Sequence, residues 1–375
     1  MIGDVAGVAL TAAWWTAAAF VGAQLAVATV NAATFPRLPA PTPGVPGSRP
    51  RVSILVPARD EAATLPATLP ALLAQGADEV VVLDDASRDA TARILADAAA
   101  RHPTLRVLHG APLPDGWNGK NWACHQLAGA ARGELWLFTD ADVHWNEGAL
   151  DALLTLWRRR RPGLLTVWPR QRSGGWFERV AVPQLDVILL GGLPHPLVGR
   201  LPFASLAAGN GQAMAWTPAG YRAAGGHAAV RDEVLEDVRL AQRAKAAGVH
   251  LQLALGGRWI ETRMYRGAGE VIDGFAKNVL AAAGSAPALI ALVALNLLSY
   301  TAAWPLALVD ARWLAIGVAG LALRGLTALS SGRGPWEAVL QPLAPLALLP
   351  IAVRALRRRG GYAWRGRAYA PRRGR

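Results

Sequence analysis

The sequence predicts an α/β domain with a mostly parallel sheet, set between apolar segments long enough to cross a membrane. Three observations carry this expectation. Between Arg51 and about Gly284, short β-branched runs alternate with helical patterns, the rhythm of right-handed βαβ units. Three of those runs end on acids or on an Arg-Asp-Glu cluster, and parallel sheets bind ligands at the carboxyl ends of their strands. Long uncharged stretches flank the domain on both sides.

The elements follow in order. Val5 to Val30 is 26 residues without a charge, more than the roughly 20 needed to span a bilayer core. Only Asp4 precedes it, so a signal peptide, which needs a basic start, is the weaker reading. Residues 1–35 are thus expected as a retained anchor. Residues 36–50 hold six prolines and two glycines and read as an extended spacer. Residues 51–284 form the α/β domain: strands at Val52–Val56, Glu79–Leu83, Arg106–Leu108 and Leu135–Thr139, with helices over Ala62–Ala74 and after Ser87. Residues 285–353 return to apolar character. Ala286 to Val309 is a 24-residue uncharged stretch, Trp313 to Leu329 carries Arg324, and Trp336 to Val353 carries only Glu337.

Composition narrows the class. The 375 residues carry 39 Lys plus Arg against 26 Asp plus Glu, a net charge of +13, with 53% hydrophobic and 17% charged residues. Disorder is excluded, because it goes with low hydrophobicity and high charge density. The single cysteine, Cys124, excludes a disulfide scaffold, a zinc ribbon or an iron–sulfur protein; it reads as a packing residue. The basic balance points to an anionic partner. Nine arginines and no acid lie in residues 354–375, so the excess is largely a basic tail beside an anionic leaflet, and no nucleic-acid partner is expected. The positive-inside rule then puts the α/β domain and the tail in the cytoplasm of a multi-pass inner-membrane protein. That needs an even number of crossings after residue 284, so Trp313–Leu329 is expected to be interfacial or re-entrant.

The acids carry the chemistry. Asp140-Ala-Asp142 ends one strand and Asp84-Asp85 another. Hard divalent cations take oxygen ligands, and Mg²⁺ is commonly held by one or two carboxylates plus substrate phosphates. Ser87 or Asp89 can equally serve as a helix cap. Glu236-Asp237 opens an apolar-periodic stretch; acids there suit the helix dipole, or supply a general base for a hydroxyl. His125, His144 and His227 share no metal-ligand spacing; His227, beside Gly225-Gly226, is the one placed to face an acceptor. Lys120 follows Gly119 and is one of three lysines against 36 arginines, a point charge available to a phosphate. Trp176 to Ala208 reads as buried core or as an interfacial element that admits a lipid.

Together these residues carry a resemblance. Val56-Pro-Ala-Arg-Asp-Glu61, Asp84-Asp85-x-Ser87-x-Asp89-x-Thr91, Gly119-Lys120, Asp140-x-Asp142, Gly225-Gly226 and Glu236-Asp237, in that order, resemble a family-2 glycosyltransferase with the GT-A fold. Pro114-Asp-Gly-Trp117-Asn-Gly119-Lys120-Asn-Trp122, Gly209-Asn-Gly-Gln212, Arg263-Met-Tyr265-Arg266 and Trp364-Arg-Gly-Arg367-Ala-Tyr369 are similar to the membrane glycosyltransferases associated with hopanoid and carotenoid biosynthesis. The resemblance implies a nucleotide-sugar donor held by Pro57, Arg59, Asp60, Glu61, Asp85, Lys120 and Asp140. It implies Mg²⁺ or Mn²⁺ on Asp142 with Asp140, an acceptor near Gly225, Gly226 and His227, and catalysis by Asp237 with Glu236. One displacement would invert the anomeric centre and place a single sugar on a membrane-lipid hydroxyl. A polyprenyl phosphate acceptor and a non-catalytic membrane scaffold are the alternatives. Asp60 departs from the usual Asn of the first turn. Arg258-Trp259 lacks the Gln of a processive synthase motif, since Leu255 stands in its place.

Overall fold

The computed structural model describes residues 2–42, 49–358, 362–364 and 367–369. It divides into two compact units: residues 35–172 with 195–264, and residues 1–34 with 173–194 and 265–375.

The first unit is built on a seven-stranded sheet. In chain order its strands are β1 (Val52–Ala58), β2 (Glu79–Asp84), β3 (Leu105–His109) and β4 (Leu135–Phe138). Next come β5 (Val143–Trp145), β6 (Leu164–Trp168), β7 (Arg170–Gln171), β8 (Met214–Trp216), β9 (Leu251–Leu255) and β10 (Ile260–Thr262). The sheet order is β3-β2-β1-β4-β8-β6-β9, and β5, β10 and β7 make a small second sheet. All the large-sheet pairs are parallel except those of β8, which runs antiparallel to β4 and β6. Every residue of β2, β4 and β9 is buried, as expected of strands covered on both faces. The register sets Ala58 beside Asp84 and Asp84 beside His109, so the carboxyl ends of β1, β2 and β3 form one edge.

The Pro-rich stretch is not a free spacer where it is described. Leu255 donates its amide to Pro36 O at 2.8 Å, Leu38 donates to Leu255 O at 3.0 Å, and Leu38 itself is buried. An extended prolyl chain keeps few donors, and here it spends the ones it has on the edge of β9. Residues 43–48 lie outside the described residues.

The second unit is helical. Gly7–Thr34, Ala286–Leu306, Arg312–Ser330 and Pro335–Arg358 are long and apolar enough to cross a membrane, and Val8, Trp15, Ile290, Val318 and Val339 are among the apolar side chains they leave exposed. Arg312–Ser330, where an interfacial or re-entrant element is expected, is a continuous 19-residue helix. Arg324, the charge within that apolar stretch, is fully buried. Its guanidinium donates to Val180 O at 3.2 Å and Arg179 O at 2.6 Å, at the end of the Trp176–Ala181 helix. These bonds lower the cost of a charge within an apolar helix, while its Nε has no hydrogen-bond partner. Residues 173–194 and 265–284, expected within the α/β domain, group with these helices. Asn31 fixes one of them by donating to Leu190 O at 2.8 Å and Leu193 O at 2.7 Å. Most of the basic tail lies outside the described side chains; Arg354 and Arg358 each pair with Asp273 at 2.8 Å.

Candidate active site

Two strand ends are sewn together to make one wall. After β1 the chain turns through Asp60 at φ 53°, a left-handed conformation that Asp and Asn tolerate better than other side-chain-bearing residues. Ser87 Oγ accepts the Asp60 amide at 3.0 Å, Thr91 Oγ1 accepts that of Glu61 at 2.8 Å, and Asp89 accepts that of Ala62 at 3.0 Å. In return the Asp60 carboxylate accepts the Arg88 amide at 2.7 Å. The Asp-x-Ser-x-Asp-x-Thr spacing thus caps the neighbouring loop rather than only its own helix. Asp60 is used for turn geometry, which is what its departure from Asn preserves. Arg59 and Asp85, both buried, face one another: the guanidinium donates to the Asp85 carbonyl and lies 3.8 Å from its carboxylate.

The second wall lies beyond β4. Lys120, in the first turn of the Gly119–Ala130 helix, reaches Asp140 at 2.8 Å and Glu236 at 3.1 Å. Burial works against its ammonium, but these two carboxylates outweigh it and hold the lysine well above its usual pKa. The expected phosphate contact is therefore committed to a bridge between the strand-end acid and the acid at the start of the Glu236–Ala246 helix. Asp142, two residues past Asp140, has a buried Oδ1 with no hydrogen-bond partner. Burial, then the neighbouring Asp140 and Glu61, push its carboxyl up to about 7.

Asp237 is held on both oxygens. Its Oδ2 accepts the Gly211 amide at 2.9 Å and its Oδ1 the Val238 amide at 2.8 Å. Burial and the adjoining Glu236 nonetheless raise it to about 6. His227 is buried and neutral, its pKa pushed down to about 3 by burial and then by Lys120 and His125. It lies 2.8 Å through Nδ1 from the Tyr221 hydroxyl, which also accepts the His227 amide at 3.0 Å. A histidine so placed is a poor proton acceptor near neutrality, which leaves that task to a carboxylate.

Pro57, Lys120, Asp140, His227, Glu236 and Asp237 line one cleft. Arg59, Asp60, Glu61, Asp85 and Asp142 are not in its lining, and neither are Gly225 and Gly226. The two glycines sit behind it at φ 83° and 54° and pack against Ala229 and Tyr221, in the turn leading to His227. Phe138, Thr139, Gly211 and Met214 join the lining without having been singled out as site residues, and Cys124 lines it as well as packing. Gly211 carried a signal in Gly209-Asn-Gly-Gln212. A Cβ on Gly209 would stand 2.2 Å from Asp237 O. Gly209→Ala is therefore expected to destabilise the fold by about 1–3 kcal/mol and to displace Asp237; thermal unfolding and turnover measured on the same preparation check both.

Residues 53–238 match the family model described as Glycosyl transferase family 2. The chain is 27% identical over 244 residues to a 4,4'-diaponeurosporenoate glycosyltransferase of Staphylococcus haemolyticus, an alignment covering 62% of each. It is 33% identical over 123 residues to a beta-monoglucosyldiacylglycerol synthase of a Nostoc species, covering 32% of this chain and 26% of that protein. In both cases less than two thirds of the relative is spanned. Among solved structures it is similar in fold to the mannosyltransferase PcManGT of Pyrobaculum calidifontis, determined in complex with GDP-Man and Mn²⁺. That likeness has a TM-score of 0.53 and 21% identity, and covers 92% of this chain and 97% of the other.

Proposed function

We propose that this chain, whose residues 53–238 match the family-2 glycosyltransferase model and whose fold is similar to that of a mannosyltransferase, transfers a single sugar from a nucleotide-sugar to the hydroxyl of a membrane lipid, with inversion. The observation that carries the reading is the cleft in which Lys120 bridges Asp140 and Glu236, with Asp237 in the same lining. One side suits a donor diphosphate and the other a hydroxyl nucleophile.

The chain's own residues divide the work. The β1 and β2 loops, with Pro57, Arg59, Glu61 and Asp85, form the donor wall. Asp142 and Asp140 would hold Mg²⁺ or Mn²⁺, and the fit is supported by the unpartnered, buried Oδ1 of Asp142. Among the described residues no group of three or more His, Cys, Asp and Glu is ready to cage a metal. The remaining ligands would then be diphosphate oxygens, as is usual for Mg²⁺. When bound, the cation neutralises charge developing on the leaving diphosphate. Lys120 keeps Asp140 and Glu236 in place. Asp237 takes the acceptor proton as the hydroxyl oxygen attacks the anomeric carbon opposite the leaving group; an α-linked donor gives a β-glycoside.

A lipid acceptor is supported by the four membrane-length helices and by relatives named for carotenoid and diacylglycerol substrates. A hydroxyl is favoured over a polyprenyl phosphate because the lysine in the cleft is held by two carboxylates, while a base stands ready. The test is incubation of the chain in nanodiscs with nucleotide-sugars and a lipid extract, followed by mass spectrometry. A single-hexose glycolipid that disappears with EDTA and returns with Mn²⁺ or Mg²⁺ is expected. Nucleotide-sugar left intact, with or without metal, would sink the reading.

The pH dependence follows from Asp237. Its folded pKa of about 6 lies above the ordinary carboxyl value, so the base is protonated and idle in acid. Turnover is expected to rise through about pH 6 to a plateau near 7. A profile already flat at pH 5 would place the base elsewhere.

A further inference from the structure

The α/β unit carries an apolar and basic surface where the chain leaves it for the helices. Phe35 follows Thr34, the last residue of the N-terminal candidate span, by one peptide bond. Its ring packs 4.9 Å from that of His195, and His195 follows Pro194, where the helical unit's second segment ends. Two chain crossings are thus side by side on the α/β unit. Gln252 of β9 approaches His195 at 3.5 Å, and Leu255 of the same strand pairs with Arg37, so both crossings sit on the β9 edge.

Directly after His195 the chain makes a loop that points apolar side chains outward: Leu197, Leu201 and Phe203 are 37%, 36% and 59% exposed. Arg200 is exposed among them. The loop is closed at its base by one residue, since Lys245 Nζ donates to Val198 O and also reaches Leu206 O at 3.5 Å. It is a compact Ω-loop rather than a loose end. Beside it the Ala149–Arg160 helix ends in Arg158, Arg159, Arg160 and Arg161, the last three exposed; burial and then Arg160 depress the pKa of His195, which puts this arginine close by.

Contiguous exposed apolar side chains rimmed by charge mark an interaction surface. Leu and Phe tips flanked by arginines match the headgroup layer of an anionic bilayer, where rings and alkyl groups sink and guanidiniums stay with phosphates. The covalent link at residues 34–35 favours a bilayer over a soluble protein as the occupant, because it ties this edge to the membrane-length helix Gly7–Thr34. We propose that the 197–203 loop, with Arg158–Arg161, docks the α/β unit on an anionic lipid surface, its tip entering the headgroup layer. The proposal deepens the reading above and rests on its placing the acceptor in a membrane. From Phe203 the chain runs eight residues to Gly211, which holds Asp237, so the immersed tip and the base are at most about 28 Å apart along the backbone.

Nitroxide labels test this in the full chain. Cys124, the one cysteine, is buried, so Leu201→Cys, Phe203→Cys and a control at exposed Asp97→Cys can each be labelled singly. In phosphatidylglycerol nanodiscs, labels at 201 and 203 are expected to favour oxygen over a water-soluble nickel complex as relaxing agent, and the label at 97 the reverse. The preference at 201 and 203 should shrink at least about threefold in phosphatidylcholine, or when Arg159 and Arg161 are both replaced by Gln. Labels at 201 and 203 that read like the one at 97 overturn the proposal. A preference indifferent to lipid charge and to both arginines overturns the part assigned to the basic cluster. The labels report without donor or acceptor present. A failed transfer assay therefore leaves this result standing, and working transfer with water-exposed labels removes the docking alone.

Discussion

Replacing Asp142 by Asn is expected to lower sugar transfer about a thousandfold while leaving the metal-free chain no less stable. The two effects have one cause. The carboxyl is pushed up to about 7, first by burial and then by Asp140 and Glu61, and its buried Oδ1 has no partner. A carboxyl whose folded pKa lies above its unfolded one opposes folding at every pH above the unfolded value, and the penalty grows until the folded pKa is passed. At pH 8 the wild-type site is therefore a concentration of negative charge that favours a cation. Asn at this position removes that repulsion, so Tm without metal should hold or rise. Loss of a cation that neutralises a leaving diphosphate is worth several kcal/mol of transition-state stabilisation, and about 4 kcal/mol corresponds to the thousandfold loss. Thermal unfolding with and without Mn²⁺ plus a nucleoside diphosphate separates these terms. The wild type should gain Tm on addition, and Asp142→Asn should not. Retained turnover, or an unchanged metal-dependent gain in Tm, would remove Asp142 from the cation site.

What could be read before folding and what could not divides on physical grounds. The strands β1, β2 and β4 are short, mainly apolar runs with acids at or just beyond their ends, and a run buried on both faces leaves that signature wherever it lies. β8 is three residues long and earns its place by pairing between β4 and β6, a long-range fact with no local trace. The same holds for Arg324: in sequence it is a charge inside an apolar stretch, and the groups that receive it, the carbonyls of residues 179 and 180 and the Gln341 side chain, lie elsewhere in the chain. The acids Asp140, Asp142, Glu236 and Asp237 could be singled out because they sit at or next to element ends, where side chains of a parallel sheet face a ligand. The bridge through Lys120 could not, since it joins residues 120, 140 and 236. The positive φ of Gly225 and Gly226 explains why glycines stand there without requiring that they touch an acceptor.

Asp237→Asn is expected to cost about a thousandfold in transfer, within the range of lost general-base assistance, and the structure adds a condition on how that loss should look. Both carboxylate oxygens accept backbone amides, from Gly211 and Val238. An Asn can turn its carbonyl to only one of them, and its NH₂ then faces the other donor. The variant should therefore lose about 1–3 kcal/mol at these hydrogen bonds, offset by relief of the burial cost and Glu236 repulsion that raise the Asp237 carboxyl, so Tm should change little and the β1 and β2 loops that make up the donor wall should be untouched. Donor affinity is the discriminating measurement. Binding of the nucleotide-sugar unchanged within about threefold, with turnover reduced about a thousandfold and the rise near pH 6 gone, identifies a proton acceptor. Equal losses in donor binding and turnover would mean that Asp237 serves the structure of the cleft. Near-normal turnover would mean that the acceptor is already ionised when it arrives, as a phosphate is, and would return the polyprenyl phosphate reading to first place.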